Sequence, residues 1–170
     1  RFAVAARSPQ TGIWGEAACG GTFGPELKRA GFDGIVITGR SPRPVTLSVT
    51  DRGAEIHPAG DLWGRDVYET TDLLKDRDGR IKVLAIGPAG ENLVMFSAIA
   101  NDKAHYIGRT GLGAVMGSKN LKAVTARGGG RAPGKADEEG FRDVFKRAIT
   151  EIKESAFAES LNLMGSDAAM

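Results

Sequence analysis

Residues 108–122, Gly-Arg-Thr-Gly-Leu-Gly-Ala-Val-Met-Gly-Ser-Lys-Asn-Leu-Lys, combine four glycines with three basic side chains. Glycine has no Cβ, so the backbone turns tightly and lets a ligand approach its N–H groups. Exposed N–H groups beside Arg109, Lys119 and Lys122 are typical of a site for an anion, most often a phosphate. The segment therefore predicts an anion-binding loop.

Two common phosphate-binding motifs do not fit this segment. A Walker A loop needs Gly-Lys-Ser/Thr at its end, whereas Gly117 is followed by Ser118 and then Lys119. In a Rossmann fingerprint the third glycine would come one position before Gly117, and residues 101–107 do not have the pattern of a buried strand. Alternatively, these glycines have only a structural role, in a turn before a short helix.

A second group of glycines lies within residues 11–25, at positions 12, 15, 20, 21 and 24. Glycine accounts for 24 of the 170 residues, about twice its usual share of ~7%. Two separated glycine-rich loops predict a backbone that packs against a large polar ligand.

The composition limits the class of protein. Hydrophobic residues at 41%, charged residues at 26% and a net charge of +2 describe a soluble globular chain. Dispersed basic residues without aromatic–basic alternation argue against nucleic acid, and there is no apolar run of the ~20 residues that a membrane span needs. The single cysteine, Cys19, excludes a disulfide framework or a multi-cysteine metal site within the sequence and fits a cytoplasmic location.

Hydrophobic periodicity predicts the secondary structure. Strands are predicted at residues 2–6, 34–38, 45–49, 54–57, 81–86, 94–100 and 122–126, helices at 26–30, 66–75 and 113–119, and a turn at 87–90. Paired strands with few helices favour an α+β fold over a regular βαβ repeat.

The C-terminal part has a different pattern. Residues 128–135 are rich in Gly and basic residues and predict a linker. Beyond it, apolar side chains at helical spacing have little in this sequence to pack on: Phe141, Val144, Phe145, Ala148, Ile149 and Ile152. We interpret residues 136–170 as the start of a truncated helical domain, and the sequence as a piece of a longer polypeptide.

The ordered motifs resemble the N-terminal domain of the aldehyde ferredoxin oxidoreductase family over about residues 1–124. They are Ser-Pro-Gln-Thr-Gly at 8–12, Phe-Gly-Pro-Glu-Leu-Lys at 23–28, Ile-Gly-Pro-Ala-Gly-Glu-Asn at 86–92 and Gly-Ala-Val-Met-Gly-Ser-Lys-Asn-Leu-Lys-Ala at 113–123. The last is highly specific. The resemblance implies that residues 1–127 form this domain without its N-terminal part.

The family resemblance implies a cytoplasmic enzyme that oxidises aldehydes to carboxylic acids and passes electrons to ferredoxin or an electron-transfer subunit. It implies a tungsten (or molybdenum) bis-pterin cofactor, a magnesium ion bridging the pterin phosphates, and a 4Fe-4S cluster with ligands outside these residues. The implied fold has two related α+β halves, with antiparallel and mixed sheets, as a base for the cofactor. A homodimer of the full-length protein is one option, and neither nucleic acid nor membrane is an expected partner.

Other functions stay open at this stage. Relatives reduce aromatic-ring thioesters or oxidise sugar phosphates, so the fold does not fix the substrate. A non-catalytic phosphate-binding module is a further alternative.

The resemblance assigns cofactor contacts near the start of the sequence. Arg1 matches an arginine between the cluster and the pterin, and Gly20 matches a backbone contact to the pterin. Ala18 stands where characterised relatives tend to carry an Asn that helps to bind magnesium, which puts the magnesium geometry in doubt. Cys19, next to it, is interpreted as a small buried side chain.

The remaining assigned contacts lie in the glycine-rich segment. His105 matches a position that often holds a phosphate-binding Arg, and Tyr106 matches a residue whose backbone carbonyl faces the magnesium ion. Gly108 and Arg109 complete this loop, in which Thr110 replaces a more usual Gly. No catalytic residue is assigned within the sequence.

Overall fold

The structure is a computed structural model that describes residues 1–130, 134–165 and 167. The chain divides into two compact units, with the boundary between residues 132 and 133. Residues 131–133 of the predicted linker, and residues 166 and 168–170 of the predicted helical segment, lie outside the described residues.

The first unit contains eight strands and four helices within its described residues. The strands are β1 (Phe2–Arg7), β2 (Trp14–Cys19), β3 (Val45–Thr50), β4 (Gly53–Pro58), β5 (Lys82–Ala85), β6 (Ile99–Asn101), β7 (His105–Ile107) and β8 (Leu121–Arg127). The helices are α1 (Phe23–Arg29), α2 (Val67–Arg77), α3 (Pro88–Glu91) and α4 (Leu112–Ser118).

The strands form two sheets. β1 and β2 make an antiparallel pair, and the others form a six-stranded sheet in the order β4-β3-β8-β5-β6-β7. Within this sheet β3 and β8 run parallel, and every other neighbouring pair is antiparallel. The predicted α+β class with a mixed sheet is confirmed.

The six-stranded sheet has a hydrophobic core on each face because side chains alternate along its strands. On one face, Leu84 and Val124 pack with Phe23 of α1 and with α4. On the other face, Val83 and Ala123 pack with Leu74 of α2. The inward side chains of β1 and β2 join the first core, so the small sheet is fixed to the large one.

Local sequence explains where α1 and α2 begin and end. Asp66 caps α2 by accepting hydrogen bonds from the N–H groups of Tyr68 and Glu69, each at 2.8 Å. α1 ends in a Schellman motif, in which Gly31 has φ +92° and the Phe32 N–H donates to the Leu27 carbonyl at 3.2 Å. The helix was predicted at residues 26–30, and α1 begins earlier, at Phe23.

The prediction of a buried strand at residues 34–38 is wrong. These residues pair with no described strand, and Val36 is 91% exposed. Within the described part of the chain, none of their N–H or C=O groups takes part in a backbone hydrogen bond. A high content of β-branched residues shows only that a segment would fit into a sheet. Whether it forms a strand depends on a partner strand, which these residues do not signal.

The prediction of a strand at residues 94–100 is correct only at its end, since β6 covers Ile99–Asn101. The preceding residues form turns, and the Ser97 carbonyl accepts a hydrogen bond from the N–H of Gly113 in α4 at 3.0 Å. The predicted turn at 87–90 begins the short helix α3. Conversely, β2 and β7 are strands in regions where loops were expected.

The described residues of the second unit form two helices, α5 (Glu138–Glu154) and α6 (Ala156–Met164). Asp137 caps α5 by accepting a hydrogen bond from the Gly140 N–H at 2.9 Å. The apolar stripe of α5 is exposed, with Phe141 at 51% and Phe145 at 56%. Among the described ranges, no helix is long and apolar enough to cross a membrane.

Candidate functional site

The β1–β2 pair presents one face to solvent, and Ala18 lies on it. Side chains alternate strictly along β2, so Ala17 and Cys19 are buried, whereas Trp14, Glu16 and Ala18 are exposed. The antiparallel register sets Ala3 opposite Ala18, Ala5 opposite Glu16 and Arg7 opposite Trp14. We call these six residues the β1–β2 face. The Ala3–Ala18 end of this face carries only methyl groups, whereas Glu16, Arg7 and Trp14 place charged and aromatic groups from its middle to its other end.

His105, Tyr106, Gly108 and Arg109 lie together in the segment 105–110, which comprises β7 and the turn after it. Of these six residues, Ile107 is buried in the core and Thr110 is partly buried, while the four predicted site residues are exposed. Within the described part of the chain, the Arg109 guanidinium forms no ion pair and is free to bind an anion.

The fold brings segment 105–110 against β2. A methyl group built on Gly15 would lie 2.8 Å from the Cβ of Thr110, and one built on Gly20 would lie 3.5 Å from Nδ1 of His105. The two glycine-rich regions, about 90 residues apart in sequence, are therefore neighbours in space. This adjacency could not be derived from periodicity because it depends on the pairing of β6 with β7.

Most glycines of the two regions are explained by packing. A methyl group on Gly117 would lie 1.9 Å from the Gly90 carbonyl oxygen, and one on Gly111 would lie 1.9 Å from the Met95 carbonyl oxygen. One on Gly113 would lie 2.6 Å from the Ala98 carbonyl oxygen. These glycines let α4 approach the backbone of residues 90–98, so the structural interpretation is correct for them.

Gly20 and Gly108 have no such explanation. Neither adopts a positive φ. A methyl group on Gly108 would meet nothing within 4 Å, and one on Gly20 would make only ordinary contacts with His105. Of the nine glycines in the two regions, these two alone are required neither by packing nor by backbone conformation. Gly20 directly follows β2 and lies against His105, and Gly108 is part of segment 105–110.

The prediction that Lys119 and Lys122 belong to an anion site is wrong. Lys119 Nζ donates to the Gly39 carbonyl at 3.0 Å. Lys122 is fully buried, where it forms an ion pair with Glu91 and donates to the Arg65 carbonyl at 2.7 Å. Burial lowers the pKa of Lys122, and the hydrogen bond to Glu91 partly offsets this effect. Both lysines are structural.

Arg1 lies elsewhere on the first unit. It lines a cavity of about 450 Å³ between β1, α1 and residues 32–37. Within the described residues, no hydrogen bond or ion pair joins its side chain to another predicted site residue. The cavity is bordered by apolar side chains, Val4, Leu27 and Ile35 among them.

Tyr106 extends the site toward α2. Its hydroxyl lies 3.4 Å from that of Tyr68, and the hydrogen bond between them, followed by partial burial, raises the pKa of Tyr106 above 10.0. The phenol therefore stays neutral at physiological pH and can donate a hydrogen bond. Throughout the described chain, no group of three or more His, Cys, Asp or Glu side chains could hold a metal ion.

Asn101 was not among the predicted site residues, although it contacts the site. Its side chain is fully buried, and Nδ2 donates to the Gly20 carbonyl at 2.7 Å. Asn101 also pairs with His105 across the β6–β7 hairpin, so it touches both halves of the site. A polar residue directly after an apolar run was the available signal, but its partner lies 81 positions away.

The fold and the site together define a family. The sequence profile described as "Aldehyde ferredoxin oxidoreductase, N-terminal domain" matches residues 1–128. The chain belongs to this family of oxidoreductases, as its motifs predicted.

Two similar proteins show the range of the family. The tungsten-containing aldehyde ferredoxin oxidoreductase of Thermococcus kodakarensis is 45% identical over 160 residues, which cover 93% of this chain and 26% of that protein. The aliphatic sulfonate oxidoreductase, WOR-like subunit, of Pyrococcus furiosus is 36% identical over 169 residues, covering 89% of this chain and 27% of that protein. The chain thus spans about a quarter of these relatives.

A solved structure is also similar. It is the active site complex BamBC of benzoyl coenzyme A reductase in complex with 1,5-dienoyl-CoA. Its TM-score is 0.84 at 37% sequence identity, and the match covers 89% of this chain and 23% of that one.

Proposed function

We propose that the β1–β2 face and segment 105–110 hold the phosphate-bearing part of a tungsten bis-pterin cofactor in a longer oxidoreductase. The observation that carries this proposal is the placement of Gly20 and Gly108. The fold does not require a glycine at either position, yet both border a surface with an exposed guanidinium at Arg109. A ligand that closely approaches the backbone would explain why both positions are glycine.

The residues present fit such a group. The methyl groups of Ala3, Ala5 and Ala18 leave one end of the β1–β2 face open to a flat ring system. Arg109 offers a planar fork of donors for phosphate, and His105 stands beside it with weaker phosphate affinity when neutral. Arg1, at the start of β1, would add positive charge near an iron–sulfur cluster.

Magnesium is the less well supported part of the cofactor. Ala18 has no side-chain oxygen, so an ion bridging the pterin phosphates would rely on the Tyr106 backbone carbonyl and on the phosphates themselves. A 4Fe-4S cluster would take its ligands from outside residues 1–170, since Cys19 is the single cysteine and is 3% exposed. Molybdenum in place of tungsten is the alternative for the metal.

For the whole protein, we propose oxidation of an aldehyde and water to a carboxylic acid, with two protons released and two electrons passed to ferredoxin. The bound metal–dithiolene centre supplies the two-electron chemistry, while residues 1–127 bind and orient it. The name of the Thermococcus relative supports this substrate class. The helical domain from residue 136, the cytoplasmic location and a homodimer remain predictions.

A second candidate is the same machinery with a different substrate. The aliphatic sulfonate oxidoreductase subunit and the benzoyl coenzyme A reductase complex are both similar over 89% of this chain. Because the β1–β2 face lies on the proposed cofactor side and carries no substrate pocket within the described residues, it is compatible with either substrate. A non-catalytic phosphate-binding module would retain the surface without the metal.

The test is Arg109→Ala in the full-length protein. A charge-assisted hydrogen bond to phosphate contributes about 1.5–3 kcal/mol, so its loss should weaken cofactor retention roughly ten- to a hundredfold. Activity per bound metal should change little, because the metal centre carries the chemistry. Tungsten content by mass spectrometry, set beside activity per tungsten, separates the two effects.

The matched control is Arg52→Ala, an exposed arginine in the β3–β4 turn at the opposite edge of the sheet. It should leave tungsten content unchanged. His105→Arg should tighten retention, because Arg binds phosphate bidentately. Full tungsten content with lost activity in Arg109→Ala would assign this loop to substrate or chemistry instead of cofactor phosphate.

A further inference from the structure

Asn101 makes an unusual set of contacts beneath the proposed cofactor surface. Its side chain is fully buried, and Nδ2 donates to the Gly20 carbonyl at 2.7 Å and lies 3.9 Å from Cys19 Sγ. A methyl group on Gly21 would lie 2.5 Å from Nδ2, so the amide occupies the space that a side chain at position 21 would need. The amide is thus fitted closely to the Gly20–Gly21 backbone.

Fold stability does not explain an Asn at this position. Its Oδ1 is buried and accepts no hydrogen bond from any described residue. A buried acceptor without a partner is destabilising, and an apolar side chain of similar size would avoid that penalty. The unpartnered Oδ1 offsets the stability gained from the hydrogen bond to the Gly20 carbonyl, so orientation of the Gly20–Gly21 peptide is the main effect left for this amide.

The planar peptide bond shows what the hydrogen bond does. In a trans peptide, the carbonyl of Gly20 and the N–H of Gly21 point in opposite directions. Because Asn101 holds the Gly20 carbonyl inward, the Gly21 N–H points away from Asn101. Within the described residues this N–H donates to no backbone or side-chain group, and Gly21 is partly exposed. An outward backbone N–H beside His105 is suited to an anion.

We propose that the Gly21 N–H is a binding group for an anionic oxygen of the cofactor, and that Asn101 is the positioning residue that orients it. The proposal rests on the proposed function and adds two residues to it. Asn101 acts through the Gly20–Gly21 peptide and does not itself touch the cofactor, which agrees with the burial of its whole side chain.

The experiment replaces Asn101 in the full-length protein. Asn101→Leu removes the donor to Gly20 and also removes the unpartnered Oδ1. Because the Gly21 N–H is still present but no longer held in position, part of one hydrogen bond to the anionic oxygen is lost, and tungsten retention should fall roughly two- to tenfold. The thermal midpoint of the cofactor-free protein should stay the same or rise, and kcat per bound tungsten should not change. A purely structural role would instead lower the thermal midpoint.

Two further variants keep the result decisive. Asn101→Asp is isosteric but replaces the amide donor by a carboxyl group, so it should lower retention at least as much wherever the carboxyl is ionised, even if the Leu variant fails to fold. Ser97→Ala is the control, because Ser97 Oγ is the other buried, unpartnered side-chain atom among the described residues and has no bond to the site. It should leave retention unchanged.

The outcomes separate this inference from the proposed function. Unchanged tungsten retention in both Asn101 variants, with weakened retention in Arg109→Ala, would overturn the role of Asn101 and leave the cofactor site in place. Unchanged retention in all three variants would overturn both. A fall in thermal midpoint for Asn101→Leu that matches the loss of tungsten would make Asn101 a structural residue and overturn the inference.

Discussion

Replacing Lys122 by Met should strongly destabilise the first unit. Lys122 lies in the centre of the large sheet, on β8, and is 0% exposed, while its partner Glu91 on α3 is 4% exposed. The ammonium also donates to the Arg65 carbonyl at 2.7 Å, and the Glu91 carboxylate accepts from the Gly64 N–H at 2.8 Å. One ion pair therefore joins β8, α3 and the loop before α2.

The magnitude follows from the burial of both partners. Met has nearly the length of the lysine stem, so packing changes little and the loss is mainly electrostatic. Removing one partner of a buried pair leaves an unpaired charge and costs about 3–5 kcal/mol. Since about 1.36 kcal/mol corresponds to a tenfold change, the equilibrium constant for unfolding of the first unit should rise about 150- to 5000-fold.

Hydrogen–deuterium exchange read by mass spectrometry measures this change in β5 and β8, whose amides form the centre of the sheet. The double variant Lys122→Met/Glu91→Gln removes the stranded charge and keeps an oxygen for the Gly64 N–H. It should recover at least about half of the lost protection, because replacing both partners of a buried pair is often nearly neutral. Exchange in Lys122→Met like that of the unmodified protein would refute the reasoning, as would a double variant no better than the single one.

Two further predictions concern glycine packing and tyrosine ionisation. Gly117→Ala should destabilise the first unit by about 1–3 kcal/mol or more, because its methyl group would lie 1.9 Å from the Gly90 carbonyl oxygen, whereas Gly108→Ala, with nothing within 4 Å, should stay within about 0.5 kcal/mol. Denaturant midpoints compare the pair, and equal midpoints would contradict the packing argument. Tyr68→Phe should return the raised pKa of Tyr106 toward 10.0, since it removes the largest cause of the shift. The stability that this hydrogen bond contributes is present below pH 10 and is lost as pH rises through the raised pKa of Tyr106. Ultraviolet titration measures the change in pKa, and an unchanged pKa would show that burial dominates.

The sequence predicted those elements whose determinants are local. α2 has its capping residue and its buried stripe within eleven residues, and the observed buried positions Thr70, Thr71 and Leu74 are those that periodicity selects. The hairpin of β3 and β4 likewise has its turn and both strands within one short stretch. Local signals of this kind decide an element without knowledge of the rest of the chain.

Elements that depend on distant partners were mispredicted. Residues 34–38 have the composition of a strand, but no described strand pairs with them. β2 was taken for a loop because its buried positions are Gly15, Ala17 and Cys19, whose small side chains do not show the apolar alternation typical of a strand. Lys122 was assigned to an anion site because its partner Glu91 is 31 positions away and nothing local marks the pair.

The candidate site was predicted by family resemblance more than by residue pattern, and the structure changes which features support it. Glycine-rich composition first indicated a ligand, yet Gly111, Gly113 and Gly117 are accounted for by the approach of α4 to a neighbouring backbone. A glycine supports a ligand site only when packing and backbone conformation do not already require it. By that criterion Gly20 and Gly108 support the site. Similar reasoning applies to Asn101. Its buried amide has an acceptor, Oδ1, without a partner, which is unfavourable for the fold, while its Nδ2 holds the Gly20–Gly21 peptide that we propose to bind the cofactor.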